Sequence, residues 1–223
     1  FLTAVIISLL TTLLMAFNND IIIFILIRFL AGVSSAFVLI FATALILPSI
    51  QAFGKKSLST SHFMGVGFGI VFSSILISIL GSFGFIWNEL WVGVFILSLI
   101  LAIPIFIYTP NEIILSTPNK ISKSTSTFGF SLITVSYGLY GFGYVILGTF
   151  ISAMAREITG LETTEFYVWF LVGLTGIPMV IFWPWYGKKI GNDLALFLAC
   201  LIMGIGIFMP VIYENNFGII LAS

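Results

Sequence analysis

Charge is what this chain has least of. Lysine and arginine together number 8 and aspartate and glutamate 8, so charged residues fill 7% of 223 positions. A soluble domain is about a quarter charged. So few ions cannot cover a water-facing surface, and with 60% hydrophobic residues the chain reads as an integral membrane protein. The formal net charge is zero, which leaves no basic footprint for nucleic acid. The single cysteine, Cys200, lies inside an apolar run; it rules out an internal disulfide and says nothing of redox compartment. With one histidine, His62, and no acidic or cysteine cluster beside it, no metal site is expected. "GVGFG" (Gly65–Gly69) and "GFGYVILG" (Gly141–Gly148) lie outside any strand–turn–helix unit, and "GKKS" at Gly54 lacks phosphate-loop spacing, so no cofactor is expected either. The short apolar–polar alternation of an outer-membrane barrel is also missing.

What the chain has instead is long apolar runs. A bilayer-spanning helix needs about 20 such residues. Seven runs qualify: Leu2–Phe17, Ile21–Ile50, Phe63–Leu80, Trp91–Tyr108, Phe128–Met154, Phe166–Tyr186 and Leu194–Ile212, with an eighth beginning near Phe217. The fold class is therefore an all-α, polytopic transmembrane bundle. A start at Phe1 without a basic leader argues against a signal peptide. With an end inside an apolar run, it reads as an internal fragment of a longer protein.

Positive charge is distributed unevenly between alternate connections. Lys55, Lys56, Lys120, Lys123, Lys188 and Lys189 share one side; the other holds Arg156 alone. By the positive-inside rule the lysine-bearing loops face the cytoplasm of a plasma membrane, the bacterial inner membrane. Trp87, Trp91, Trp169, Trp183 and Trp185 fall at or near span ends, where indoles prefer the interface. Pro104, Pro178, Pro184 and Pro210 lie within or near spans and predict bends. "TPNEIILSTPNKISKSTST" is longer and more polar than the other connections, with the composition of a solvated linker. It divides the chain into a first helical part at 1–108, a cytoplasmic linker at 109–127 and a second helical part at 128–223.

Arg28 is the sole formal charge within the seven runs. A mid-membrane arginine costs about 2.5–3.5 kcal/mol on insertion scales. At about 1.5 Å per residue it sits roughly 10 Å below the outer end of its helix. It either snorkels to headgroups or faces an interior or aqueous cavity. Gly32, Ser35 and Ala36 continue its face with small residues, which favours the interior. In the fifth run Tyr137, Gly141, Tyr144 and Gly148 recur at helical spacing, with Tyr140 beside them. Hydroxyls in lipid need partners, so this face either packs with its tyrosines satisfied or lines a wet cavity.

Three function classes meet these features. A transporter needs inward polar groups and two bundles able to rock. An intramembrane enzyme would use Ser34 or Ser35, but His62 is remote in sequence and no acid pair supports it. A seven-helix receptor fits the count, although no span offers a lysine for retinal.

"RFLAGVSSA" resembles the fourth-helix motif of the major facilitator superfamily, in Arg28, Gly32 and the Ser34–Ala36 cluster. "HFMGVGFG" (His62–Gly69) and "YGLYGFGYVILGTF" (Tyr137–Phe150) are similar to segments of its YbfB/YjiJ-like bacterial branch. The resemblance implies secondary active transport of a small organic solute by alternating access, coupled to a proton, in a monomer. The linker would be the central cytoplasmic loop, and the runs the third to ninth of twelve helices. The second and fifth runs would then line one shared cavity. Arg28, Gly32, Ser35, Tyr137, Tyr140, Tyr144 and Thr149 become the solute and coupling candidates. A proton-carrying carboxylate would have to come from outside these runs. "PWYGKKIGN", Pro184–Asn192, resembles a degenerate copy of the family's cytoplasmic gating loop, through Lys188, Lys189 and Gly191. Lys188 stands where the motif has its acid, so its salt bridge is not expected. "GVGFGIVFSSI" lacks the glycine–proline signature of drug/proton antiporters, which argues against multidrug export.

Overall fold

The computed structural model describes residues 1–52, 59–109, 127–159, 162–213 and 218–220. Every regular element among them is helical. In a hydrocarbon environment the backbone must satisfy itself, and an α-helix does so within one segment. The helices are α1 (Leu2–Leu14, followed by a 3-10 turn Met15–Phe17), α2 (Ile21–Ala52) and α3 (Met64–Ser82, preceded by the 3-10 turn Ser61–Phe63). Then come α4 (Trp87–Tyr108), α5 (Thr127–Thr159), α6 (Glu162–Ile190) and α7 (Asn192–Ile212).

Among the described residues, 6 helices are long and apolar enough to cross a membrane, and Leu2–Phe17 is a shorter apolar helix. The first of the seven expected runs, Leu2–Phe17, is thus too short to count as a span among the described residues. Of the expected eighth run, 218–220 is described and is helical. The expected linker lies outside the described residues except at Thr109 and Thr127, as do Lys55, Lys56, Lys120 and Lys123.

Polar side chains set the helix starts. Asp20 Oδ1 accepts the Ile22 and Ile23 N–H groups at 2.8 and 3.3 Å, opening α2 at its first apolar residue. Glu89 Oε2 accepts the Ile86 N–H at 2.8 Å, so α4 begins at Trp87, one turn before the apolar run does. Gly84 turns the chain between α3 and α4 at φ 83°. Pro184–Ile190, expected as part of a loop, is instead the last stretch of α6. Proline can remain in a membrane helix where neighbours satisfy the freed carbonyl. The break is confined to Gly191, whose φ of 93° suits glycine.

The chain forms two compact units, 1–62 with 72–116, and 63–71 with 117–223. In the first, α1 packs against α2 and α4. Ala4, Val5, Met15, Ile27 and Ala102 are its buried apolar residues. A Cβ on Gly93 of α4 would meet Leu80 Cδ1 at 2.5 Å, so glycine permits α3 and α4 to approach. In the second, α6 packs against α5 and α7. Ile151, Ala155, Val168 and Ile219 form its core, with Leu147 against them. The 63–71 segment meets α6 through two buried glycines: a Cβ on Gly67 would lie 2.9 Å from the Gly173 carbonyl, and one on Gly173 would lie 2.9 Å from that of Gly67. Elsewhere the helices present bulky apolar side chains outward; Phe29, Leu139 and Val211 are each 67% exposed. Acyl chains, not water, are the solvent such a surface fits.

Candidate functional site

Arg28 sits in a two-ring clasp. Its guanidinium carbon lies 5.4 Å from the Phe24 ring centroid, one turn earlier on α2, and 5.0 Å from that of Trp91 in the first turns of α4. Each such contact is worth about 0.5–1 kcal/mol when exposed and about 2 kcal/mol or more when desolvated. Arg28 is itself exposed, so at the exposed value the two contacts together contribute about 1–2 kcal/mol toward the cost of carrying a charge within an apolar run. No carboxylate pairs with Arg28 among the described residues, and no hydrogen bond there occupies its N–H groups. The rings therefore stabilise the cation while leaving its donor fork available to an anion.

Below it, Gly32, Ser35 and Ala36 are exposed, and a Cβ added to Gly32 would meet nothing within 4 Å. Ser34 turns the other way: it is buried and donates to the Ala31 carbonyl at 3.0 Å. The small-residue stripe thus borders open space. His62 bonds to α2. Its Nε2 lies 3.0 Å from Thr43 Oγ1, and that hydroxyl donates its proton to the Leu39 carbonyl at 2.8 Å. The Nε2 proton is then the one shared with Thr43, which ties the 3-10 turn to α2.

The second unit contains a cleft of about 670 Å³ between α5, α6 and α7. From α5 it is lined by Tyr140, Tyr144, Leu147, Gly148 and Ile151, a single helical face. Two of the three candidate tyrosines are therefore brought together there. Tyr137 is not among the lining residues and is 76% exposed. Thr149 is also outside it, its hydroxyl donated to the Val145 carbonyl at 2.7 Å. The cleft-lining face is thus rotated by about one position from the Tyr137–Gly141 stripe expected from spacing. Gly148 makes room for the indole of Trp169, whose Cη2 would lie 3.6 Å from a Cβ there. Trp169 Nε1 donates to Ser152 Oγ at 2.7 Å, pinning α6 to α5 at the apolar end of the cleft, where Leu147 and Ile151 belong to both cleft and core.

On α6, Trp169, Val172, Thr175, Met179, Phe182 and Tyr186 line the cleft at three- and four-residue spacing, with Trp183 beside them. The Phe182 and Tyr186 rings stack at 5.5 Å, and Trp183 meets Phe182 edge-on at 5.6 Å, forming an aromatic shelf. Trp91, Trp169 and Trp183 read in sequence as interface anchors. The signal that could have reassigned the last two was their shared period with Thr175, Met179 and Tyr186.

The three residues expected in a gating loop lie where α6 meets α7. Lys188 and Lys189 are exposed in the last turn of α6, Lys189 Nζ standing 3.9 Å over the Trp185 ring, and Gly191 is the break itself. Lys188 and Lys189 are thus helical rather than in a loop.

The chain matches the family described as "Uncharacterised MFS-type transporter YbfB" over residues 1–223. No curated protein and no solved structure matches the chain.

Proposed function

Because the chain belongs to this YbfB-like family of major-facilitator-type membrane transporters, we propose that it moves a small organic solute across the membrane by secondary active, proton-coupled alternating access. The observation that carries the reading is the Arg28 clasp. A permanently charged group is kept at membrane depth by rings alone, with its hydrogen-bond donors unspent. Such a group serves to hold an anion that comes and goes. That anion is a carboxyl group of the solute or a proton-carrying carboxylate from outside residues 1–223, held ionised by the guanidinium beside it. Tyr140 and Tyr144 supply hydroxyls and ring faces to the solute.

In this reading the lysine-bearing ends, including Lys188 and Lys189, face the cytoplasm of the bacterial inner membrane, and the protein works as a monomer. The two helical parts on either side of 109–127 are the bodies that rock. A transporter family also leaves the receptor and intramembrane-enzyme alternatives without a specific observation in their favour.

The test is proton flux in proteoliposomes carrying the full-length protein and an internal pH dye, with solutes added one at a time from a panel of organic acids, sugars and neutral aromatics. At least one solute should drive a pH change that Arg28→Ala removes without loss of folded protein. Wild-type flux in Arg28→Ala would return Arg28 to a snorkelling role.

A further inference from the structure

We propose that the cleft between α5, α6 and α7 binds the carried solute, and that this solute is an uncharged molecule built on a planar ring with at least one hydrogen-bonding group. The inference rests on the transporter reading above and narrows it to a substrate class.

Size comes first. About 670 Å³ falls within the range of pockets that enclose drug-sized organic molecules. Charge comes second. Among the described residues, no aspartate, glutamate, lysine, arginine or histidine lines the cleft. Bringing an ion into it would cost several kcal/mol of desolvation. An anion would find no cation there, and a cation would find only ring faces, worth about 2 kcal/mol when desolvated. A neutral molecule meets neither penalty.

Shape is the third constraint. The aromatic shelf of Phe182, Trp183 and Tyr186, with Trp169 and Tyr144, offers flat faces for a ring to stack or meet edge-on. Met179 and Met203 add side chains that adapt to irregular outlines.

Polarity separates a solute from a lipid. Tyr140, Tyr144 and Tyr186 all line the cleft, and none of their hydroxyls has a hydrogen-bond partner among the described residues. An acyl chain would leave all three unsatisfied, at a cost that a hydrogen-bonding solute removes. Of the other polar groups, Thr175 bonds to the Leu171 carbonyl at 2.8 Å and Trp169 to Ser152, so the tyrosine hydroxyls and the Trp183 indole N–H are what remain for recognition.

Cys200 is a built-in reporter. It lies on α7, partly buried, next in sequence to Ala199 of the cleft lining. Full-length protein in nanodiscs is alkylated at Cys200 with a maleimide, with Cys200→Ser as the blank. Three probes that share one ring and differ in charge are added: p-nitrobenzyl alcohol, p-nitrobenzoate and p-nitrobenzyltrimethylammonium. The alcohol should protect Cys200 at a concentration at least about tenfold below either ion, a difference of about 1.4 kcal/mol. Removing two hydroxyls with Tyr140→Phe and Tyr144→Phe together should raise the protecting concentration about tenfold with Tm unchanged. Equal or better protection by either ion overturns the inference, as does absence of protection by the alcohol. If the double variant does not fold, the wild-type charge series decides alone. Proteoliposome flux is read separately. Protection by the alcohol without flux of any solute counts against the transporter reading and leaves the site standing. Flux of charged solutes alone keeps the transporter and sinks the neutral class.

Discussion

Adding one methyl group at Gly173 should loosen the second unit, while adding it three residues further along the same helix should not. Gly173 is buried, and a Cβ there would lie 2.8 Å from Val71 Cγ2, 2.9 Å from the Val71 amide nitrogen and 2.9 Å from the Gly67 carbonyl. Two of those three atoms are backbone and cannot swing aside. Ordinary contact begins near 3.4 Å, so α6 and the 63–71 segment must separate by about half an ångström. Separation also strips contact from the reciprocal notch at Gly67, where Ile177 Cγ1 would stand 2.7 Å from an added Cβ. Overpacking of this kind costs about 1–3 kcal/mol. At about 2–4 °C per kcal/mol for a chain of this length, Gly173→Ala should lower Tm by several degrees. Gly176→Ala meets nothing within 4 Å and gains helix propensity, so its Tm should stay level or rise. The assay is thermal melting of purified full-length protein in detergent, followed by tryptophan fluorescence with size-exclusion as a check on aggregation. Equal melting of the two variants would refute the claim that backbone contact sets the spacing of these segments.

The remaining predictions concern the site and the helix junctions. Arg28→Lys should reduce flux far less than Arg28→Ala does if charge alone matters; the clasp predicts that both lose most of it, because an ammonium lacks the planar donor fork. Initial proton flux in proteoliposomes separates these outcomes. Trp169→Phe and Ser152→Ala should each destabilise by about 1 kcal/mol and together by little more than either alone, since both delete the same hydrogen bond; a double-mutant cycle of melting curves reads the coupling. Gly191→Ala should cost about 1–3 kcal/mol because φ 93° with ψ 143° suits only glycine, whereas Gly204→Ala, with open space around it, should leave Tm unchanged.

Much of the architecture is legible in the runs themselves. Lipid removes the alternatives to a helix, so the apolar stretches locate α2 to α7 to within a turn or two. Boundaries failed where polar groups intervened. Glu89 draws α4 back to Trp87 by accepting the Ile86 N–H, and α6 carries on past Pro184 because proline in a membrane helix is no stop signal. The site was legible as residue types and less so as faces. Spacing grouped Tyr140 and Tyr144, which line the cleft, with Tyr137, which does not, since a helix of 3.6 residues per turn allows several stripes through the same glycines and only packing chooses among them. Trp169 chose it here, by settling over Gly148 and bonding to Ser152. The tryptophans carry two roles: their placement near span ends satisfies the interface rule, and Trp91 also clasps Arg28 while Trp169 and Trp183 line the cleft.

Scarcity of charge changes what an arginine can do. In a soluble enzyme a guanidinium at depth would be matched by a carboxylate, and that pair would occupy both partners in the resting state. Here no carboxylate pairs with Arg28 among the described residues, and Phe24 and Trp91 take the carboxylate's stabilising part without its hydrogen bonds. The cation is held in place, yet its donors stay uncommitted, which a group that must bind and release an anion in every cycle requires. The cleft in the second unit follows the opposite logic. Among the described residues it is lined by no charged side chain and by three tyrosine hydroxyls without a partner, so the proposed recognition depends on shape and a few hydrogen bonds. The proposed neutral solute would satisfy that cleft without engaging Arg28, which would leave the arginine for a coupling carboxylate and divide solute recognition and proton coupling between different residues of the same chain.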